Sequence, residues 1–296
     1  MILTNPLTAS DPLLPALPET AAGVAPYATP FAEPYAEPYR APAPTSRERR
    51  LDRDLTAARQ VQRALLPALE QSFEGVEVTG EYRPAYEVGG DFVEINRRRD
   101  GRTGFVVGDV AGNGVTAALI MARVSCEIRQ LAARGRKPSR LLAGLNRFMN
   151  EQALPDRFVT ATAIELDLDR EIWIVANAGH PPALLLRKDG AVVLLGERGG
   201  PGLGFAGLAP WRCRDQVVPA RPDDVLLAFT DGLGDRVSTS DFTELAAGPM
   251  TPDGMLRPTL AELKRRVFER MAAVAGAADD ATLLAVRVLP AALRRC

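Results

Sequence analysis

The sequence is poor in the residues on which several classes of site depend. Its three cysteines, Cys126, Cys213 and Cys296, stand far apart in 296 residues, and no two of them form a CxxC pair. This spacing and the odd count fit a reducing cytoplasm better than a disulfide framework. Because His180 is the only histidine, a histidine-rich metal site and a Ser-His-Asp triad with a spare histidine are both excluded.

An excess of charge and long apolar runs are also lacking. The formal net charge is -1, so no basic field exists to hold nucleic acid or an anionic membrane. No apolar run approaches the ~18 residues of a membrane span, and no basic segment followed by an apolar stretch marks a signal peptide. We therefore expect a cytoplasmic protein without a membrane span.

Proline dominates residues 1–45, which hold ten of the 24 prolines. It recurs at every fourth position from Pro26 to Pro38, a spacing that forbids helix and removes the donors that a sheet needs. We expect a disordered tail rich in Pro, Ala and Tyr, or polyproline II. A solvated tail and a peptide that a partner binds through its aromatic side chains both fit this pattern.

A helix is predicted at residues 46–66, where Thr45 or Ser46 can cap the start and Pro67 ends it. Its apolar stripe follows steps of four, three and seven residues, at Leu51, Leu55, Ala58 and Leu65. We expect residues 46–75 to be a helical linker. The helix either lies on its own domain or forms a short coiled coil that dimerises and transmits a signal.

From Val76 onward the pattern changes to short strands separated by turns and interrupted by helices. Segments rich in β-branched and apolar residues predict strands at 76–82, 104–110, 158–166, 172–176, 183–187, 191–195, 225–230 and 282–288. Helices are predicted at 116–134, 139–151 and 260–275. Strands joined by hairpin turns, together with a pair of helices, indicate an α+β fold.

Aspartates stand next to several of these strands, mostly with glycine beside them. The five are Asp91, Asp109, Asp231, Asp279 and Asp280. A carboxylate beside a buried strand is costly unless it is paired, hydrogen-bonded or bound to metal. Since no lysine or arginine lies within these motifs, converging carboxylates would repel one another unless Mg²⁺ or Mn²⁺ lay between them. Ligation by oxygen alone argues against zinc or copper.

Six sequence blocks together resemble the SpoIIE/RsbU-type branch of the PPM (PP2C-like) phosphatases. The blocks are 89–92 (GGDF), 108–114 (GDVAGNG), 158–161 (FVTA), 177–182 (NAGHPP), 230–232 (TDG) and 279–282 (DDAT). The resemblance covers residues 76–289, followed by a short tail at 290–296. It implies an α+β fold, a PP2C-like β-sandwich flanked by antiparallel helices, with two divalent cations, Mn²⁺ or Mg²⁺, at one end.

The resemblance also implies a role for each aspartate. Asp109 would bridge the two metals, and the backbone carbonyl of Val110 would bind one of them. Further carboxylates would come, directly or through water, from Asp91, Asp231 and Asp279. In the acidic doublet, Asp280 is the alternative ligand to Asp279.

The implied activity is hydrolysis of phosphoserine or phosphothreonine by a water that the two metals activate. The implied substrate is a phosphorylated STAS-domain anti-sigma factor antagonist, and an upstream regulator or self-association would act through residues 46–66.

Two departures from the family pattern keep a second function open. Asn113 stands where the family usually has histidine, and 233–236 reads LGDR where a glutamate followed by alanine is more usual. The alternative is a catalytically impaired PPM-fold regulator that binds a phosphoprotein. An unrelated structural β-sandwich would leave the carboxylates unexplained. His180, between Gly179 and Pro181, is interpreted as part of a structural turn, with a catalytic acid as the alternative.

Overall fold

Two antiparallel sheets stack face to face, with helices on both outer faces, in a computed structural model that describes residues 45–73, 75–152, 157–205, 210–251, 254–275 and 279–290. The predicted tails at 1–45 and 290–296 lie outside the described residues, except for Thr45 and Pro290.

The strands of the described residues, in chain order, are β1 (Gln71–Phe73), β2 (Val76–Arg83), β3 (Phe92–Arg97), β4 (Thr103–Val110), β5 (Val159–Asp167), β6 (Ile172–Ala178), β7 (Ala183–Leu186), β8 (Val192–Leu195), β9 (Gln216–Pro219), β10 (Val225–Phe229), β11 (Met250–Thr251), β12 (Gly254–Met255) and β13 (Ala281–Val288). The helices are α1 (Ser46–Leu65), α2 (Gly114–Ala133), α3 (Pro138–Gln152), α4 (Asp231–Gly234), α5 (Thr239–Leu245) and α6 (Leu260–Ala273).

One sheet has the strand order β1-β2-β13-β10-β7-β8, and the other has the order β3-β4-β5-β6-β9. The short strands β11 and β12 pair only with each other. Side chains alternate between the two faces of a strand, so each sheet contributes apolar residues both to the space between the sheets and to an outer face. Phe105 and Trp173 lie in the inter-sheet core, which Leu284 and Val286 complete from the other sheet.

The outer faces are covered by helices. The helices α2 and α3 bury Met121, Leu142 and Leu145 against the five-stranded sheet. On the opposite side, α6 buries Val267 and Phe268 against the six-stranded sheet. The α+β sandwich predicted from the sequence is therefore confirmed.

The predicted elements agree with the structure to within one or two residues, but the prediction missed the strands β3 and β9 and the short elements β1, β11, β12, α4 and α5. In β3 both faces are packed, since Phe92 lies under the helices and Val93 between the sheets. The alternation that identifies a half-exposed strand is therefore missing. Glu94, whose buried carboxylate pairs with Arg129 at 2.9 Å, also interrupts the apolar residues of this strand.

The helix α1 begins where the sequence predicts and ends at Leu65, one residue earlier than predicted. The Thr45 hydroxyl accepts from the N–H of Glu48 at 3.2 Å, and the Glu48 carboxylate accepts from the N–H of Thr45 at 2.6 Å, which forms a capping box. Leu51 on its stripe is 56% exposed, whereas Gln62 near its end is buried. None of the described helices combines the length and apolarity needed to cross a bilayer.

Candidate metal centre

The space between the sheets changes from apolar to polar at one end of the sandwich. On β4, Val107 lies in the inter-sheet core, and Asp109, two residues further, continues the same face. In the other sheet, Thr230 comes two residues after the core residue Ala228, and Thr282 comes two residues before the core residue Leu284. The strand register therefore brings polar side chains from both sheets together at this end.

Asp91 joins the two sheets at this end. It is 1% exposed, and its Oδ2 accepts hydrogen bonds from the hydroxyls of Thr230 at 2.8 Å and Thr282 at 2.6 Å. The N–H of Thr282 donates to the Thr230 hydroxyl at 3.0 Å, which fixes the pair. The other carboxylate oxygen of Asp91, Oδ1, is buried and has no hydrogen-bond partner among the residues that the structure describes. A buried carboxylate oxygen in this state is costly unless the group is protonated or a cation occupies its free side.

The pKa values of the neighbouring carboxyl groups also indicate a site for cations. Burial, and then the charge of Asp109, raises the pKa of Asp91 well above its ordinary value. Burial, followed by the charges of Asp231 and Asp279, raises the pKa of Asp109 to about 7. The pKa of Asp231 is raised by burial and by the charge of Asp279. The structure thus brings these four sequence-predicted aspartates close enough to destabilise one another as anions.

The two members of the acidic doublet have different surroundings. The carboxylate of Asp280 is buried and accepts from two backbone N–H groups, that of Ala85 at 2.8 Å and that of Gly90 at 2.5 Å. Asp279 is exposed, and its Oδ1 accepts from the N–H of Asp280 at 2.9 Å. Asp280 therefore holds the loop before Asp91, while the side chain of Asp279 is left open toward Asp109 and Asp231.

The two residues before Asp91 must be glycine because other groups approach their backbone closely. A Cβ placed on Gly89 would lie 2.0 Å from Oδ2 of Asp280, and one on Gly90 would lie 2.7 Å from the Val110 carbonyl oxygen. No side chain fits at either position. The Val110 carbonyl, a predicted metal ligand, therefore lies directly against the loop that carries Asp91.

Sequence reasoning missed Gln62, which connects α1 to this loop. Its Nε2 donates to the Gly89 carbonyl at 2.7 Å, and its Oε1 accepts from the Gly89 N–H at 3.2 Å and from the Tyr82 hydroxyl at 3.3 Å. A signal was available, because residue 62 lies on the helical stripe between Ala58 and Leu65. A polar residue on that stripe indicates a buried hydrogen bond.

His180 is buried and its ring is neutral at neutral pH. Its Nδ1 is 2.8 Å from the Thr160 hydroxyl, and burial lowers the pKa of the ring to about 3. Asn177 holds its backbone from both sides, accepting from the His180 N–H at 3.0 Å and donating to its carbonyl at 2.7 Å. These contacts fit the predicted structural turn.

The two departures from the family pattern lie beside the cluster. Asn113 is exposed at the start of α2, and its side chain gives the helix no capping hydrogen bond. In the segment after Asp231, Leu233 is buried in the outer core and Asp235 is exposed. Neither change removes one of the candidate ligands.

The donors at this end suit a hard divalent cation, provided that water completes its coordination. They are oxygens of carboxylates and of the Val110 carbonyl, the type of ligand that Mg²⁺ and Mn²⁺ prefer. In the described part of the chain, no group of three or more His, Cys, Asp or Glu side chains is arranged to hold a metal ion by itself. Mg²⁺ commonly binds through one or two carboxylates and keeps several waters, which agrees with a cluster that the side chains alone do not close.

Residues 99–289 match the family model described as stage II sporulation protein E (SpoIIE). The phosphoserine phosphatase RsbU of Bacillus subtilis (strain 168) is 26% identical over 192 residues, which cover 64% of this chain and 56% of that protein. The chain thus spans about half the length of the curated relatives it matches.

Two solved structures share the fold. The SiaA-PP2C domain of Pseudomonas aeruginosa superposes with a TM-score of 0.66 at 23% identity, covering 82% of this chain and 98% of that one. The catalytic domain of the serine/threonine phosphatase PstP, solved in complex with two manganese ions, has a TM-score of 0.55 at 17% identity, covering 72% of this chain and 98% of that one. Because the family model matches more than half of the chain, in the region that forms the sandwich, the protein belongs to the SpoIIE family.

Proposed function

We propose that this protein is a metal-dependent protein phosphatase that hydrolyses phosphoserine and phosphothreonine. The observation that carries the proposal is the convergence of Asp91, Asp109, Asp231 and Asp279 at one end of the sandwich. Burial of Asp109 and the charges of Asp231 and Asp279 raise the pKa of Asp109 to about 7, and one buried oxygen of Asp91 has no hydrogen-bond partner among the described residues. Such a cluster is stable as a set of anions only when cations bind to it.

Two divalent cations, Mn²⁺ or Mg²⁺, would be held by these four carboxylates and the Val110 carbonyl, directly or through water. When bound, they supply charge neutralisation for the phosphoryl oxygens and the acidity that makes a water nucleophilic at neutral pH. Asp280 and Gln62 hold the loop that carries Asp91. Thr230 and Thr282 orient the Asp91 carboxylate. These four residues hold Asp91 and its loop in position.

The proposed substrate is a phosphorylated STAS-domain anti-sigma factor antagonist. Support comes from the similarity to RsbU, a phosphoserine phosphatase, and from the location of the cluster at an open end of the sandwich, where Asp231 and Asp279 are exposed. A phosphorylated side chain on the surface of a folded protein can reach such a site without unfolding.

Regulation is proposed to act through residues 46–66, by an upstream regulator or by self-association. The first part of α1 is exposed, including Leu51, while its last turns contact the domain through Gln62. A partner that shifts α1 would change the position of Gly89, and with it that of Asp91 two residues further. A second copy of the chain could bind the exposed stripe in the same way. Sedimentation of residues 46–296 with and without Leu51→Glu tests the self-association.

The activity is tested by p-nitrophenyl phosphate hydrolysis with Mn²⁺, with Mg²⁺ and with EDTA, followed by a phosphorylated STAS protein. We expect metal-dependent turnover that Asp109→Asn reduces at least a thousandfold. The control is Asp169→Asn, which removes the same charge at the β5–β6 turn, at the opposite end of the strand that pairs with Asp109. Binding of the phosphoprotein without turnover in any metal would favour the impaired regulator instead.

A further inference from the structure

We propose that Arg157 binds the phosphoryl group of the substrate, an inference that rests on the proposed phosphatase function. The bound cations would neutralise the aspartates, and a fixed cation beside them would add donors for the phosphoryl oxygens that face away from the metals. A guanidinium suits this role because it offers several N–H donors in a planar fork that matches phosphate oxygens.

Arg157 lies beside the loop that joins β4 to α2. Its Nη1 donates to the Ala111 carbonyl at 2.8 Å. The guanidinium lies over Gly112, where an added Cβ would be 2.1 Å from Nη1. Gly112 also has a φ of +98°, so the loop both turns and leaves room for the arginine. Since Ala111 directly follows Val110, the guanidinium is placed next to the proposed metal ligands.

The strand register shows at which end of the five-stranded sheet Arg157 lies. In the β4–β5 pair, Asp109 is opposite Thr160 and Val110 is opposite Val159. Val159 lies in the core under the helices, and Arg157, two residues before it, lies just beyond the end of β5 that pairs with Asp109. The register therefore places Arg157 at this end of the sheet on its helix side, and the contact with the Ala111 carbonyl directs the guanidinium toward the loop that follows Asp109.

The charge of Arg157 is available for a ligand. Within the described residues its one hydrogen-bond partner is the Ala111 carbonyl, and it forms no ion pair there. Arg98, Arg102 and Arg129, by contrast, each pair with a buried glutamate. Arg157 thus has N–H donors left to offer, in a half-buried position where they are less screened than on an open surface.

The backbone around Arg157 is braced, so its side chain is presented from a fixed base. The N–H of Ala111 donates to the Phe158 carbonyl at 2.9 Å, and the ring of Phe158 stacks on Phe205 with centroids 4.7 Å apart. Val159 and Leu203 exchange backbone hydrogen bonds of 2.9 and 2.7 Å. Preorganisation of this kind lowers the ordering cost of binding.

A purely structural brace is the competing role, and the choice of substitutions separates the two. Arg157→Gln removes the charge but keeps an amide that can donate to Ala111, Arg157→Lys keeps the charge, and Arg157→Ala removes both. Arg134→Gln is the matched control, since Arg134 is an exposed arginine at the opposite end of α2.

The measurements are the inhibition constant of inorganic phosphate, and KM and kcat for p-nitrophenyl phosphate, at saturating Mn²⁺. We expect Arg157→Gln and Arg157→Ala to raise the inhibition constant about tenfold to a hundredfold, the range of one lost charged hydrogen bond. Arg157→Lys should raise it less, and Arg134→Gln should leave it unchanged. The concentration of Mn²⁺ for half-maximal activity should stay within about twofold in all four variants.

An unchanged phosphate constant in Arg157→Gln, with the wild-type enzyme active, would overturn this inference and leave the phosphatase proposal intact. A parallel rise in the Mn²⁺ requirement would also overturn it, because that result assigns Arg157 to bracing the loop. Absence of wild-type turnover in every metal overturns both proposals. If Arg157→Ala fails to fold in a thermal melt, the Gln and Lys variants decide the question.

Discussion

Removing the charge of Asp109 should stabilise the protein when no metal is bound. Burial and the neighbouring aspartates raise the pKa of this carboxyl from 3.8 to about 7. One pKa unit corresponds to about 1.4 kcal/mol, so keeping Asp109 ionised in the folded state costs at most about 4 kcal/mol. Because the side chain is partly open to solvent, we expect Asp109→Asn to recover about 2 kcal/mol. That is a large part of a typical stability of about 5–15 kcal/mol.

The sign follows from proton linkage. The folded state holds a proton on Asp109 more tightly than the unfolded state, so ionisation of this group favours unfolding. The penalty is absent below the unfolded pKa near 3.8, grows as pH rises, and is complete above about 7. The metal-free wild type should therefore lose stability between pH 4 and pH 7, and Asp109→Asn should lose less.

Urea unfolding in EDTA at pH 5, 6, 7 and 8 measures this difference, with Asp169→Asn as the control for an exposed aspartate. Mn²⁺ added at pH 8 should raise the stability of the wild type much more than that of Asp109→Asn, because ligand binding to the folded state adds to stability. The reasoning is refuted if the variant is less stable than the wild type at pH 8 without metal. It is also refuted if both proteins have the same pH dependence.

Three further predictions concern the groups around the cluster. Gln62→Ala removes both hydrogen bonds to Gly89, so it should cost about 1–3 kcal/mol in urea unfolding, and a Mn²⁺ titration of activity should show a raised half-saturation concentration. Asp280→Ala leaves two backbone N–H groups without their acceptor and should destabilise the protein by about 3 kcal/mol in urea unfolding. Asp279→Ala should leave the urea midpoint nearly unchanged but weaken Mn²⁺ binding measured by calorimetry. Equal effects of the two substitutions would contradict the assigned roles. Burial lowers the pKa of His180 to about 3, so the free energy of unfolding should fall as pH drops from about 6.5 toward 3. NMR of the ring should show it neutral at pH 5, and a ring that titrates near 6.5 would contradict its burial.

The sequence by itself was sufficient for the elements whose signals are local. The start of α1 depends on Thr45 and Glu48, three residues apart, and Pro67 follows its end. Hairpin turns such as 188–190 lie between strands that pair with each other. The six sequence blocks, through their resemblance to a known family, were enough to indicate a fold and a carboxylate cluster before any contact was known.

The tertiary structure decided the role of each residue in the cluster. The sequence left Asp279 and Asp280 equivalent, and only the N–H groups of Ala85 and Gly90, about 190 residues away, distinguish them. The hydroxyls that orient Asp91 come from the opposite sheet.

Gln62 and Arg157 were missed for the same physical reason. Each acts on a backbone carbonyl remote in sequence, that of Gly89 in one case and that of Ala111 in the other. A hydrogen bond depends on distance and direction in space. The stripe position of Gln62 indicated a buried partner, but nothing in the sequence identified the carbonyls of Gly89 and Ala111, which are 27 and 46 positions away from their donors. Composition and periodicity therefore determined which elements form and which acids are available, while the packing of two sheets determined which of them meet.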